Sequence, residues 1–143
     1  MQLTSSSIAA GADIVTVLSA ASDQTISLCI NLAHQQGKQV LGDHIARETD
    51  LDALKRLANL GVDYVGLHIP KDSGSSPFLK QLDSIQGRLS VPVVLAGGIR
   101  IPLLAQLHGS PLAAVVVGDA IINSPDPAAE ACRFASLLER WEQ

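Results

Sequence analysis

The chain is poor in aromatic side chains. Phe, Trp and Tyr make up only 3% of its 143 residues, so its core must be built from Ala, Val, Ile and Leu. Such a composition suits helices packed on buried parallel strands. Cysteine is also scarce. Cys29 and Cys132 both fall on the apolar side of predicted helices and, without a secretory signal, read as buried reduced thiols of a cytoplasmic protein. Neither lies at a strand end or a helix start, where a thiolate would be activated, which argues against a catalytic cysteine. No Lys-rich or Arg-rich run exists and the net charge is -4, which argues against a nucleic-acid partner. The apolar runs are short and broken by Gly or charge, so no segment reads as a membrane span. Met1–Ala12 carries no basic residue and Asp13 interrupts the apolar run that follows, so this end does not read as a signal peptide. Low charge (17%) beside 47% hydrophobic residues argues equally against disorder.

What is present is a rhythm. Five β-branched runs recur: Asp13–Leu18, Gln39–Asp43, Asp63–His68, Pro92–Ala96 and Ala113–Val117. Each is apolar without clean alternation, which predicts strands buried on both faces. Helical patterns separate them. Ser22–Gln36 opens at a Ser cap and repeats Ile26, Cys29, Ile30 and Ala33 at helical spacing. Asp50–Leu60, Pro77–Gly87, Ile101–Leu107 and Asp126–Trp141 read as helices too, and Met1–Ala10 as the last turns of another. Strand alternating with helix is the signature of a parallel α/β sheet. Gly11-Ala12-Asp13-Ile14-Val15 resembles Gly61-Val62-Asp63-Tyr64-Val65. In both, Gly is expected to end a helix in the left-handed conformation just before a strand. This is either a true repeat or one loop type used twice. Five such units could form an open doubly wound sheet, but no phosphate loop follows the first run. An eightfold barrel needs roughly 200–250 residues, so the other reading is part of one.

Six motifs favour the partial barrel: GADIVTVLSAA (Gly11–Ala21), GKQVLGD (Gly37–Asp43), LGVDYVGLH (Leu60–His68), VPVVLAGGI (Val91–Ile99), VVVGDAI (Val115–Ile121) and SPDPAAEACRF (Ser124–Phe134). In order and spacing they resemble the C-terminal part of the 3-hexulose-6-phosphate synthase and 3-keto-L-gulonate-6-phosphate decarboxylase family, within the orotidine-monophosphate-decarboxylase suprafamily. The resemblance implies one truncated (β/α)8 barrel domain over residues 1–143, its five parallel strands corresponding to barrel strands four to eight. In that family the third strand carries Asp-x-Lys-x-x-Asp, which supplies the catalytic lysine and most of a Mg²⁺ site. The motif does not occur in this sequence. Mg²⁺ is therefore implied as a cofactor whose main ligands the chain does not contain.

The same resemblance selects the site residues. Asp43, ending the second run, matches an acidic residue beside the substrate; a carboxylate there could equally cap the next segment. His68, ending the third, matches a histidine placed for proton delivery to an enediolate, or is a strand-end residue bonded to a loop. Gly97, Gly98 and Gly118 match the turns that present backbone N–H groups to a sugar phosphate, or simply end strands. Asp119 departs from the family's Gly or Arg. Beside a phosphate dianion its carboxylate implies weakened affinity, a bridging cation, or a side chain turned to solvent. Arg100 could offset that charge. Lys71, in the Gly/Ser-rich stretch Pro70–Pro77, stands where the decarboxylases have a functional Arg; the stretch reads as a lid or as a solvated loop. His44 should point away from Asp43, and His34 and His108 should be solvated on helix surfaces.

Three functions follow. The first is a lyase, or a piece of one, joining formaldehyde to ribulose 5-phosphate, with a decarboxylase-like activity as its variant. The second is a non-catalytic sugar-phosphate-binding or assembly module. The third is a barrel fragment with no role of its own. Open sheet edges predict a homo-oligomer or a complementing N-terminal barrel fragment as partner.

Overall fold

The computed structural model describes residues 2–45, 50–69, 79, 82, 84, 85 and 87–141. Helix α1 (Gln2–Ala9) leads into strand β1 (Ile14–Leu18), followed by α2 (Asp23–His34), β2 (Gln39–His44), α3 (Leu51–Leu60) and β3 (Tyr64–His68). Within the predicted helix Pro77–Gly87, the backbone is helical at Leu79, Leu82, Ser84 and Ile85. Then come β4 (Val93–Ala96), α4 (Ile101–Gln106), β5 (Leu112–Val116), α5 (Asp119–Ile122) and α6 (Pro127–Leu138), and a 3-10 turn over Glu139–Trp141.

The caps set these boundaries. Ser22 Oγ accepts from Thr25 N at 3.2 Å and Asp126 Oδ1 from Ala129 N at 3.0 Å, each satisfying an otherwise orphaned helix donor. Asp50 Oδ1 does the same for Asp52 N and Ala53 N. Gly11 and Gly61 follow α1 and α3 with φ of 97° and 99°, as the paired motif predicts.

All strand pairs are parallel and the order is β1-β2-β3-β4-β5, with no reversal. A doubly wound sheet needs a switch point where strand order reverses, so sequential order excludes it. Right-handed crossovers in sequential order instead place the helices on one face, as in a barrel. That face holds the core: Val15, Val17, Val40, Val65 and Leu95 pack against Ile26, Leu54, Leu57 and Leu104. Gly42 helps, because a Cβ there would lie 3.1 Å from both Leu57 methyls and from Val62.

The expectation of strands buried on both faces holds at β3 and β4, where Val65, Gly66 and Leu67 and then Val93, Val94 and Leu95 are buried in succession, but it fails at the sheet edges. β1 alternates, with Val15 and Val17 buried but Ile14 and Leu18 47% and 50% exposed. Val116 on β5 is 53% exposed. These side chains point to the inner face of the curved sheet, and five strands do not close around it.

One more expectation needs correction. Cys29 is buried, but Cys132 is exposed. It lies about 200° around the helix from Phe134, the buried anchor of α6, so it faces outward. His34 is exposed on α2, as expected, and its Nε2 lies 2.9 Å from Asp63 Oδ2, which also accepts from Val40 N at 2.7 Å. His108 lies edge-on to Trp141, centroids 5.9 Å apart. Nearby, a hydrogen bond from Lys38, reinforced by its charge, holds the exposed Asp13 carboxyl below its ordinary range.

Arg56 on α3 ties the strand ends together. Its guanidinium donates to the backbone carbonyls of Ser19 and Ala21, each at 2.9 Å, and to Asp23. Arg56→Ala leaves both carbonyls without that donor. It should cost roughly 1–2 kcal/mol in urea unfolding, whereas Arg133→Ala, whose pair with Glu130 is exposed, should cost almost nothing.

Candidate functional site

The C-terminal ends of parallel strands are where such sheets collect chemistry, because loops there are free of the packing layer. Register decides which side chains meet. Asp43 pairs with Gly66, and Gly66 with Val94, so Asp43 and the residues two along from these, His68 and Ala96, share the inner face. His68 Nε2 and Asp43 Oδ1 are 2.9 Å apart. Both are sheltered, with side-chain exposures of 30% and 14%. When Nε2 donates to the carboxylate, Nδ1 is left as the ring's lone-pair nitrogen. A carboxylate-oriented imidazole beside a cavity can exchange a proton with a bound substrate.

That cavity measures about 660 Å³ and is lined by His68, Gly97, Gly98, Arg100, Gly118 and Asp119, among others. The structure therefore gathers every predicted site residue among those described: Asp43 through its bond to His68, the rest as walls. Lys71 and the Pro70–Pro77 stretch lie outside the described residues. Gly97 and Gly98 have φ of 82° and 57°. At Gly97 the requirement is also steric, since a Cβ would sit 2.8 Å from the Ile69 carbonyl oxygen. Ile69 N in turn donates to Ala96 O at 2.8 Å, so the chain leaving β3 is drawn against the glycine turn. Gly118 differs: its φ is -110° and, among the described residues, a Cβ there would meet nothing within 4 Å. Its contribution is open space on the cavity wall. Asp119 is exposed and begins α5, a short helix that sequence reasoning missed because four residues carry no periodicity.

His44 sits on the opposite face from Asp43, as alternation requires. Its Nδ1 lies 2.9 Å from Ser19 Oγ, while its buried Nε2 has no hydrogen-bond partner among the described residues. The Ser19–His44 pair and the Arg56 clamp joined residues far apart in sequence, and no local signal announced either. A shallower depression of about 690 Å³ lies over α4, α5 and α6, lined by Arg100, Glu130, Cys132 and Arg133; no residue of the His68–Asp43 pair reaches it. Among the described residues, no three His, Cys, Asp or Glu side chains cluster closely enough to hold a metal ion. The described residues thus do not form the Mg²⁺ site that the family resemblance implies. No described helix is long and apolar enough to cross a membrane.

Comparison with known proteins bears on the family and the fold. 3-Hexulose-6-phosphate synthase 3 of Staphylococcus saprophyticus is 37% identical over 132 residues, which cover 87% of this chain and 62% of that one. The chain is a homologue of the 3-hexulose-6-phosphate synthases. It spans somewhat less than two thirds of the curated synthases it matches. The synthase crystal structure from Salmonella typhimurium superposes with a TM-score of 0.84 at 29% identity, covering 98% of this chain and 68% of that one. The chain therefore has the α/β fold of part of a synthase barrel. The 3-keto-L-gulonate-6-phosphate decarboxylase structure from Vibrio cholerae also matches, with a TM-score of 0.76 over 98% of this chain and 67% of that one; at 20% identity it speaks to the fold alone. No protein-family model matches the sequence.

Proposed function

We propose that this chain carries the phosphate-binding and proton-exchanging part of a synthase-type lyase, one that joins formaldehyde to ribulose 5-phosphate. The observation that carries this reading is the cavity in which the oriented His68 meets the Gly97–Gly98 turn and Gly118. In this reading the two loops after β4 and β5 hold the phosphate, with Arg100 lending charge. Asp43 fixes the His68 ring, and His68 moves a proton to or from the enediolate of the sugar. The five strands stand for barrel strands four to eight, and the chain acts in the cytoplasm.

Ligand that binds only the folded state raises its melting temperature. Ribulose 5-phosphate at a hundred times its dissociation constant should stabilise the purified chain by about 2.7 kcal/mol. A melting curve indifferent to millimolar ribulose 5-phosphate would sink the reading.

A second reading, an assembly module, is favoured by the inner face. Ile14, Leu18 and Val116 are half exposed there, and among the described residues β1 and β5 each pair along one edge only. Unpaired edges and bare apolar faces are association surfaces. The two readings are compatible, since a polypeptide completing the barrel would bring the chemistry this chain lacks. The expected result in sedimentation is a homo-oligomer, or a complex with a co-expressed fragment bearing Asp-x-Lys-x-x-Asp. A monomer in both experiments counts against assembly.

A further inference from the structure

Glycine is a poor strand residue, costly in entropy and with no side chain to pack. Gly66 nevertheless occupies the centre of β3, between Val65 and Leu67. Its φ is not among the positive values, so backbone freedom does not explain it. Nor does helix packing, which accounts for Gly42 on the other face. At Gly66 the neighbour is the site itself. A Cβ built there would lie 2.6 Å from Asp43 Oδ1, and 3.4 Å from both Cγ and Cα of Asp43. That same Oδ1 is the atom 2.9 Å from His68 Nε2. Asp43 stands directly across from Gly66, and His68 is two residues further along β3 on the same face. The carboxylate reaches the imidazole by leaning over the space that the missing side chain leaves.

We propose that Gly66 is a positioning residue: its bare Cα lets the Asp43 carboxylate cross to β3 and orient His68. Any side chain at 66 meets the oxygen first. The backbone of Asp43 is at ordinary contact distance, so the carboxylate is what must yield, and it yields by turning away from His68. The functional meaning rests on the proposed lyase reading, but the geometry is testable without substrate.

The experiment compares the full chain with Gly66→Ala, Asp43→Ala and the double variant, with His68→Gln to assign the His68 ring N–H resonance. A ring N–H held by a carboxylate is protected from exchange and visible in proton NMR. The resonance should be present in the unaltered chain and lost in both single variants. Gly66→Ala should also lower the melting temperature when Asp43 is present and raise it in the Asp43→Ala background, where only the entropic cost of glycine is removed. A resonance that survives Gly66→Ala, an equal melting shift in both backgrounds, or no protected ring N–H in the unaltered chain would each overturn the proposal. Should Gly66→Ala fail to fold, a folded double variant supports the proposal and an unfolded one overturns it. Because ribulose 5-phosphate is not used, failure of the lyase reading leaves these outcomes intact.

Discussion

Replacing Gly97 with alanine should both destabilise the chain and abolish ribulose 5-phosphate binding, whereas the same change at Gly98 should do little of the first. Both positions have positive φ, which costs an L-residue roughly 1–2 kcal/mol. Only at Gly97 does the new methyl also meet backbone, 2.8 Å from the Ile69 carbonyl oxygen. Backbone cannot swing aside as a side chain can. Ile69 is held in place by its own hydrogen bond to Ala96, so the turn must shift or the β3 end must lift. The expected cost is about 2–4 kcal/mol for Gly97→Ala in urea unfolding, against about 1 kcal/mol for Gly98→Ala. Because the shift would occur in the wall of the cavity, ligand-induced stabilisation should vanish in the first variant and survive in the second. Equal costs would mean that Ile69 moves freely and that the turn is not pinned.

Asp119→Asn should tighten binding of ribulose 5-phosphate by roughly tenfold at low salt, the gain shrinking as salt is added. Asp119 lines the same cavity as the glycine turns, so its charge stands close to where a phosphate dianion would bind. Asn keeps the shape and removes the charge. Arg100, on the same wall, should show the opposite sign: Arg100→Gln weakens binding. Calorimetric titration at two ionic strengths reads both effects. Unchanged affinity in Asp119→Asn would mean that the carboxylate does not face the bound phosphate. The family resemblance led to an expectation of Gly or Arg at position 119, so this variant asks whether Asp there tunes affinity.

Much of this molecule was legible before any coordinates. Five strands were placed to within a residue or two, because β-branched runs bounded by Gly, Pro and Asp have few other conformations. The Ser22, Asp50 and Gly61 boundaries follow from local hydrogen bonding alone. Asp43, His68, Gly97, Gly98 and Gly118 could be selected as strand-end residues, since a residue's place along a strand is a one-dimensional property. Cys132 was misread, and the His34–Asp63 bond went unforeseen, for the converse reason. Which side of α6 meets the sheet is set by Phe134 seating in the core, and the His34–Asp63 contact spans 29 residues.

Sequence by itself therefore determined the alternation of strand and helix, the caps, and which residues stand at the strand ends. Only the tertiary structure decided that Asp43 reaches His68, that Gly66 leaves it room, that Arg56 secures the β1 end, and that the inner face remains half exposed. The reason is physical. Helix period, cap chemistry and glycine dihedrals are fixed within a few bonds. Register between strands, curvature of the sheet and the distance between two side chains depend on every element packing at once.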